Sequence, residues 1–357
     1  MRVSIISFTE NGILLSEKIA EVLQQKNVSE ILLFTKCTKF SEEQNGKISF
    51  TEKAVGEWAK EQMEEKNALL FIGACGIAVR AIAPHITDKL QDSPVLVMDE
   101  KGQYVIPILS GHVGGANELV LVIAKRTGAV PVITTATDLQ RKFAVDLFAK
   151  KNGLFIANKD GIARVSSKVL AGQNVTISVE SGHVEKDCKL PDGVQSAAYP
   201  PDFPVDIVVT SEEKEFDSLI CLKPREYVIG MGCKRGKEAE KVEAFIRRSI
   251  EELGIETTQI GALASIDLKK EEQAFLSWSR KEKLPFFTYT AEELQKVEGA
   301  FHKSNFVKDR VGVDNVCERA ALKACEPCGE LVYEKHAEDG MTIAIAKREW
   351  RVSFDEA

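Results

Sequence analysis

The chain has 357 residues, 44% of them hydrophobic and 28% charged, with a formal net charge of −7. That is long enough for two or three domains with real cores, and the apolar content excludes wholesale disorder. The acidic surplus argues against a nucleic-acid binder, which normally presents a basic face, and it makes local basic clusters more informative than the total.

The N-terminal third alternates strand and helix. "RVSIISFT" reads as a strand, "NGILLSEKIAEVLQQK" has the apolar spacing of a helix, and "EILLFTK" is a strand again. "TEKAVGEWAKEQMEEKN" is helical and "ALLFIGA" is a buried strand. "PVLVMDE", "YVIPILS", the helix "ANELVLVIAKRTG" and the strand "VPVITT" follow. Near-continuous apolar strands between amphipathic helices predict an open, mostly parallel sheet covered on both faces, over residues 1–136.

From residue 137 to 222 the texture is shorter and richer in glycine, and four of the eleven prolines fall between 191 and 204, which predicts a small middle module. From 223 to 357 a second α/β domain is expected. Its signals are "REYVIGMGCKRG", the amphipathic helix "KEAEKVEAFIRRSIEELG", the strand "IGALASIDLK", a helix in 272–283, "LPFFTYT", the helix "NVCERAALKAC" and the late strand "TIAIAKREW".

The start "MRVSIISFTENG" lacks a basic segment followed by a long apolar core, and the run "LVLVIA" at 119–124 is far short of a membrane span. The expectation is a cytoplasmic protein that contacts neither membrane nor nucleic acid. Eight scattered cysteines fit free thiols in a reducing compartment. Cys325 and Cys328 stand at metal-ligand spacing, with Cys317 upstream and only His336 offering a further ligand, so no metal site is expected.

Four turns end strands, three of them glycine-rich: Gly73-Ala-Cys-Gly76, Ser110-Gly-His-Val-Gly-Gly-Ala-Asn117, Thr134-Thr-Ala-Thr-Asp138 and Gly230-Met-Gly-Cys-Lys-Arg-Gly236. Glycine there admits a ligand to bare backbone, and the following helix offers unpaired N–H groups to an anion. Nucleotide signatures fail. "GCKRGKE" puts three residues between its glycines where a P-loop needs four, and neither G-x-G-x-x-G nor G-x-S-x-G occurs in these turns.

His112 has glycines on both sides and a helix mouth behind it, an accessible place for a group that titrates near neutrality. Asn117 either caps that helix or meets a ligand. Arg80, one turn into an otherwise apolar helix, and Lys234 and Arg235 in the fourth turn are candidate carboxylate clamps. His183 lies in Ser181-Gly-His-Val184, which repeats Ser110–Val113 without the Gly-Gly-Ala-Asn that follows, and reads as a loop coincidence.

Taken in order, "FIGACGIAVRAIAPH", "VIPILSGHVGGANEL", "PVITTATD", "VIGMGCKRG", "ALASIDLKKEE" and "VGVDNVCERAAL" resemble the CbiG family of cobalamin biosynthesis, the cobalt-precorrin-5A hydrolases, over nearly the whole chain. The C-terminal stretch also resembles a free-standing protein of the aerobic pathway. The resemblance implies a hydrolase of the anaerobic vitamin B12 route. Its substrate is a cobalt-bearing, ring-contracted tetrapyrrole whose ring-A δ-lactone is opened and whose C20 unit leaves as acetaldehyde. The cobalt belongs to the substrate, so no cofactor is expected. Expected partners are the tetrapyrrole, other corrin-pathway enzymes in passing, and a second copy of the chain.

For this chemistry His112 is the expected base, with the N–H groups of Gly114 and Gly115 as oxyanion donors. Ser110, Asn117 and Asp138 would orient the lactone and the histidine. Gly73, Gly76, Arg80, Thr135, Lys234 and Arg235 would hold the substrate, all gathered on one rim. The rival readings are a non-catalytic tetrapyrrole carrier, which would tolerate loss of His112, and a nucleotide-dependent enzyme.

Overall fold

The structure is a computed structural model that describes residues 2–24, 28, 30–39, 47–88, 91–136, 142–302 and 312–355. The chain forms two compact units, 1–142 and 143–357.

The first unit holds a seven-stranded sheet in the order β3-β2-β1-β4-β5-β6-β7. The strands are β1 (Arg2–Ser7), β2 (Glu30–Thr35), β3 (Ile48–Phe50), β4 (Ala68–Ile72), β5 (Val95–Met98), β6 (Tyr104–Leu109) and β7 (Val130–Pro131). Helices α1 (Glu10–Gln24), α2 (Val55–Glu64), α3 (Cys75–Ile82) and α4 (Ala116–Thr127) cover it. The period-two geometry of a strand sorts the core. Val3, Ile5, Leu70 and Ile72 point to the face packed by Ile19 and Leu23 of α1 and by Val120 and Ile123 of α4. Ile6, Leu69 and Phe71 point to the other face, with Trp58 of α2 and Ala78 and Ile82 of α3. Trp58 stands edge-on between Phe34 and Phe71, with centroids 5.6 and 5.5 Å away.

Strands β1 to β5 run parallel. β6 reverses: it pairs antiparallel with β5, setting Leu109 beside Val95 and Val105 beside Met98. β7 then runs parallel to β6. The predicted strand 130–135 is shorter than expected; after Val132 donates to Val105 O at 2.9 Å the chain leaves the sheet.

The second unit carries two five-stranded sheets. The first contains β8 (Leu154–Ile156), β9 (Val175–Val179), β10 (Val194–Ala197), β11 (Val205–Val209) and β12 (Ser218–Pro224) in the order β10-β9-β11-β12-β8. Its helices are α5 (Val145–Lys151) and α6 (Asp160–Leu170), and β8 is its one antiparallel strand. The other contains β13 (Tyr227–Cys233), β14 (Ile260–Ile266), β15 (Phe286–Tyr289), β16 (Gly329–Glu338) and β17 (Met341–Arg348) in the order β15-β14-β13-β17-β16. Helices α7 (Ala239–Glu251) and α8 (Gln273–Glu282) pack one face through Phe245, Ile246 and Phe275. Helix α10 (Cys317–Lys323) packs the other; α9 (Ala291–Gln295) is a short turn before it. Gly230 is what lets α10 settle on β13, because a Cβ there would collide with the Cys317 carbonyl.

The C-terminal tail sews the two sheets together. Phe354 stacks on Phe148 at 5.0 Å. Asn152 and Ser353 exchange bonds of 3.0 and 2.7 Å, and Val352 N–H donates to His183 O at 2.8 Å.

Candidate functional site

The second glycine turn closes at the carboxyl ends of β6 and β7. Ser110 adopts a left-handed φ of 55°, and Gly115 follows at 89° as the N-cap of α4. Gly115, Ala116 and Asn117 donate their N–H groups to His112 O, Ser110 O and Gly111 O at 3.0, 3.1 and 3.0 Å. A Cβ on Gly114 would strike Ser110, so the winding needs glycine. His112 is half-buried on this loop. The Ser110 hydroxyl donates to Asp92 O at 2.9 Å. Asn117 does not cap α4. It lies in the first turn with its side chain turned inward, and Nδ2 donates to Thr135 Oγ1 at 3.3 Å. The structure thus brings Ser110, His112, Gly114, Gly115, Asn117 and Thr135 together. Asp138 lies outside the described residues.

Near the turn, Asp92, whose backbone carbonyl accepts from Ser110, lines a cavity of about 310 Å³ with Lys60, Lys66, His85 and Ser93 among others. This is the edge where β1, β4 and β5 begin. Gly73 and Gly76 sit at the opposite edge, where β1 and β4 end and the strand order changes direction. That edge is where an open parallel sheet takes ligands. Gly73 lies against Phe8, and the Arg80 guanidinium folds back over Gly76, 3.5 Å from where a Cβ would stand. Arg80 is exposed, so the cost of an unpaired buried guanidinium does not apply to it. The expected single rim is therefore not what the fold builds: the reversal of β6 puts the histidine turn and the Arg80 turn on opposite edges of one sheet.

Lys234 and Arg235 belong to the second unit and are exposed after β13. The Lys234 chain lies over Gly340, and neighbouring Lys237 is tied to Asp339 at 2.6 Å. Burial pushes the Cys317 and Cys325 thiols up to about 12, which disfavours them as thiolate ligands. Cys328 is exposed.

Sequence reasoning passed over a cavity of about 520 Å³ in the second unit, lined by Glu180, His183, Ser211, Glu226, Lys347 and Trp350 among others. Glu180 and Ser211 follow the ends of β9 and β11. Burial raises the Glu180 carboxyl, but Ser211 N–H at 2.7 Å, Ser211 Oγ at 2.9 Å and Thr210 Oγ1 at 3.0 Å outweigh it and hold the group below its ordinary value. Glu226 is pushed up by burial, partly offset by Lys347 Nζ at 3.4 Å. His183 stacks on Trp350 with centroids 3.9 Å apart, 8° from coplanar. Its Nδ1 lies 2.8 Å from Trp350 O. The available signal was the repeated Ser-Gly-His-Val after a strand; the partners on β17 and the tail are too remote in sequence to be inferred.

A further buried carboxylate, Glu318 of α10, collects His302 N–H at 3.0 Å, His302 Nδ1 at 2.9 Å, Lys335 N–H at 2.8 Å and Asn315 Nδ2. It was legible only as part of "VGVDNVCERAAL".

A doubly wound unit followed by two smaller sheets, with glycine turns and cations at strand ends, defines a multi-sheet α/β protein. The sequence matches families described as Cobalamin synthesis G N-terminal over 57–138, Cobalamin biosynthesis central region over 143–224 and Cobalamin synthesis G C-terminus over 227–346. It is 31% identical to a cobalt-precorrin-5A hydrolase of Priestia megaterium, covering 96% of this chain and 94% of that one. It is 32% identical to a cobalt-precorrin-5A hydrolase of Salmonella typhimurium, covering 96% and 97%. Over 33% of this chain it is 29% identical to Protein CobE of a Sinorhizobium species, covering 78% of that protein. The chain belongs to the cobalamin synthesis G family. Among the described residues no helix is long and apolar enough to cross a membrane.

Proposed function

We propose that this protein is a cytoplasmic cobalt-precorrin-5A hydrolase: it opens the ring-A δ-lactone of its substrate and releases the C20 unit as acetaldehyde, leaving cobalt-precorrin-5B. The observation that carries this reading is end-to-end similarity, at 31 and 32% identity over 96% of the chain, to two proteins named for that activity.

In this reading the lactone is opened at the β6–α4 turn. His112 takes a proton from water, and the hydroxide adds to the lactone carbonyl. The charge that develops on the carbonyl oxygen meets the Gly114 N–H and the mouth of α4. The N–H groups of Gly115, Ala116 and Asn117 are already engaged by His112 O, Ser110 O and Gly111 O, so their part is to hold the turn, and the helix acts through its dipole alone. Collapse of the adduct breaks the ring C–O bond, and the proton on His112 goes to the leaving oxygen. Ser110, Asn117 and Thr135 keep the loop in shape; Arg80, exposed on the opposite edge of the sheet, acts on the polyacid only by long-range attraction.

The test is anaerobic incubation of the purified protein with cobalt-precorrin-5A, assaying acetaldehyde. Wild-type release with a loss of about 10²- to 10⁴-fold in His112→Ala, and tetrapyrrole binding retained, is the expected result. Undiminished release by His112→Ala removes the histidine from the mechanism; no release by the wild type sinks the reading itself.

A further inference from the structure

The reaction just proposed has two chemical steps, and the β6–α4 turn accounts for one of them. Once the lactone is open, the carbon to be expelled bears a free hydroxyl. Its departure needs a base that accepts the hydroxyl proton.

His183 has the properties of such a base. Its Nδ1 faces a backbone carbonyl, Trp350 O at 2.8 Å, which can only accept. The proton of the neutral ring is therefore on Nδ1, and Nε2 carries a lone pair. The ring cannot turn freely, because it is stacked on Trp350. Nε2 lies 3.7 Å from Glu180 Oε1, so the imidazolium formed by proton uptake meets a carboxylate held in place by Ser211 and Thr210. Glu180, His183, Ser211 and Trp350 line the cavity of about 520 Å³. Glu330 and Glu349 also line it. Lys347 and Arg348 line it as well, so the cavity offers cations to the carboxylates of a polyacid beside its acidic groups.

We propose that this cavity is a second catalytic site, in which His183 acts as the base for carbon–carbon cleavage of the ring-opened alcohol and Glu180 positions and stabilises it. The proposal rests on the hydrolase reading above. The step balances. Nε2 takes the hydroxyl proton, the O–H pair becomes the carbonyl of acetaldehyde, and the carbon–carbon bond breaks with its electrons on the macrocycle. The macrocycle carbon then takes the proton back from His183. No oxidant or reductant is needed.

The competing explanation is that His183 only ties its loop to the tail, where Val352 N–H donates to His183 O at 2.8 Å. His183→Asn separates the two, since an asparagine amide still donates to Trp350 O but offers no base. Glu180→Gln keeps size and removes charge. With cobalt-precorrin-5A under anaerobic conditions, ring-opened tetrapyrrole is followed by mass and acetaldehyde by a coupled dehydrogenase. His183→Asn is expected to slow acetaldehyde release about 100-fold or more while the ring-opened alcohol accumulates. Glu180→Gln is expected to lower kcat for release with little change in KM. Release by a folded His183→Asn within about twofold of wild type, with no accumulation, overturns the proposal alone. Failure of the wild type to open the lactone at all overturns the underlying reading, and this one with it.

Discussion

Glu318, with no exposed surface, holds Nδ1 of the solvent-facing His302 at 2.9 Å. Burial alone would raise its carboxyl. The N–H groups of Lys335 and His302 and the His302 ring outweigh that and hold it below the ordinary value. Its pKa is thus lower folded than unfolded, so its stabilising contribution is full above the unfolded value, about 4.3, and fades as pH falls through the folded one. Glu318→Gln is expected to destabilise the protein by about 2–4 kcal/mol at pH 7, because it leaves buried donors facing an amide. The gap from wild type should close below about pH 4. Urea melts of both proteins across pH 3.5–7 check this; a gap independent of pH contradicts it.

Gly230→Ala should be more damaging than its one methyl suggests. The methyl has nowhere to go, since the Cys317 carbonyl and Ala321 occupy the space. Helix α10 must lift from β13, at a cost of about 1–3 kcal/mol or more. A thermal midpoint within a degree of wild type would show that the close approach is not needed.

Thiol reactivity should divide the cysteines. Cys75, at the first turn of α3, and Cys328 are exposed, whereas Cys317 and Cys325 are buried with thiols pushed up to about 12. A chromogenic disulfide at pH 8 is expected to modify Cys75 and Cys328 rapidly in the native protein, and Cys317 and Cys325 only after denaturant is added. Rapid labelling of Cys317 would refute its placement between α10 and β13.

Arg80 is exposed and folded over Gly76. If it grips a substrate carboxylate it does so through solvent, so Arg80→Ala should raise KM about two- to fivefold and leave kcat nearly constant. Raising the salt should shrink the difference. A fall in kcat at unchanged KM would put Arg80 nearer the chemistry than its place on the sheet allows.

Much of the fold is written in local pattern. β4 and β5 are buried along their whole length, and "ALLFI" and "VLVM" show it as unbroken apolar runs. α4 ends where Gly128 takes a φ of 80°, which its sequence announces. Apolar spacing carries no strand direction, and so the reversal of β6 escaped. The sign was the length of the connection: β5 ends at Met98 and β6 begins at Tyr104. So short a link cannot make a parallel crossover. Asp99 folds it by accepting the N–H groups of Lys101, Gln103 and Tyr104 at 2.9, 2.9 and 2.6 Å. Residues of the candidate sites divided in the same way. His112 stood out because its glycines are adjacent in sequence. His183 and Glu318 are defined by partners that only folding brings near.

That tight hairpin between β5 and β6 gives one sheet two mouths. Loops grafted after β1 or β4 would leave the backbone around His112 untouched, and loops grafted after β6 would leave Gly73 and Arg80 as they are. An engineer could therefore retune affinity at one mouth and turnover at the other without trading one against the other.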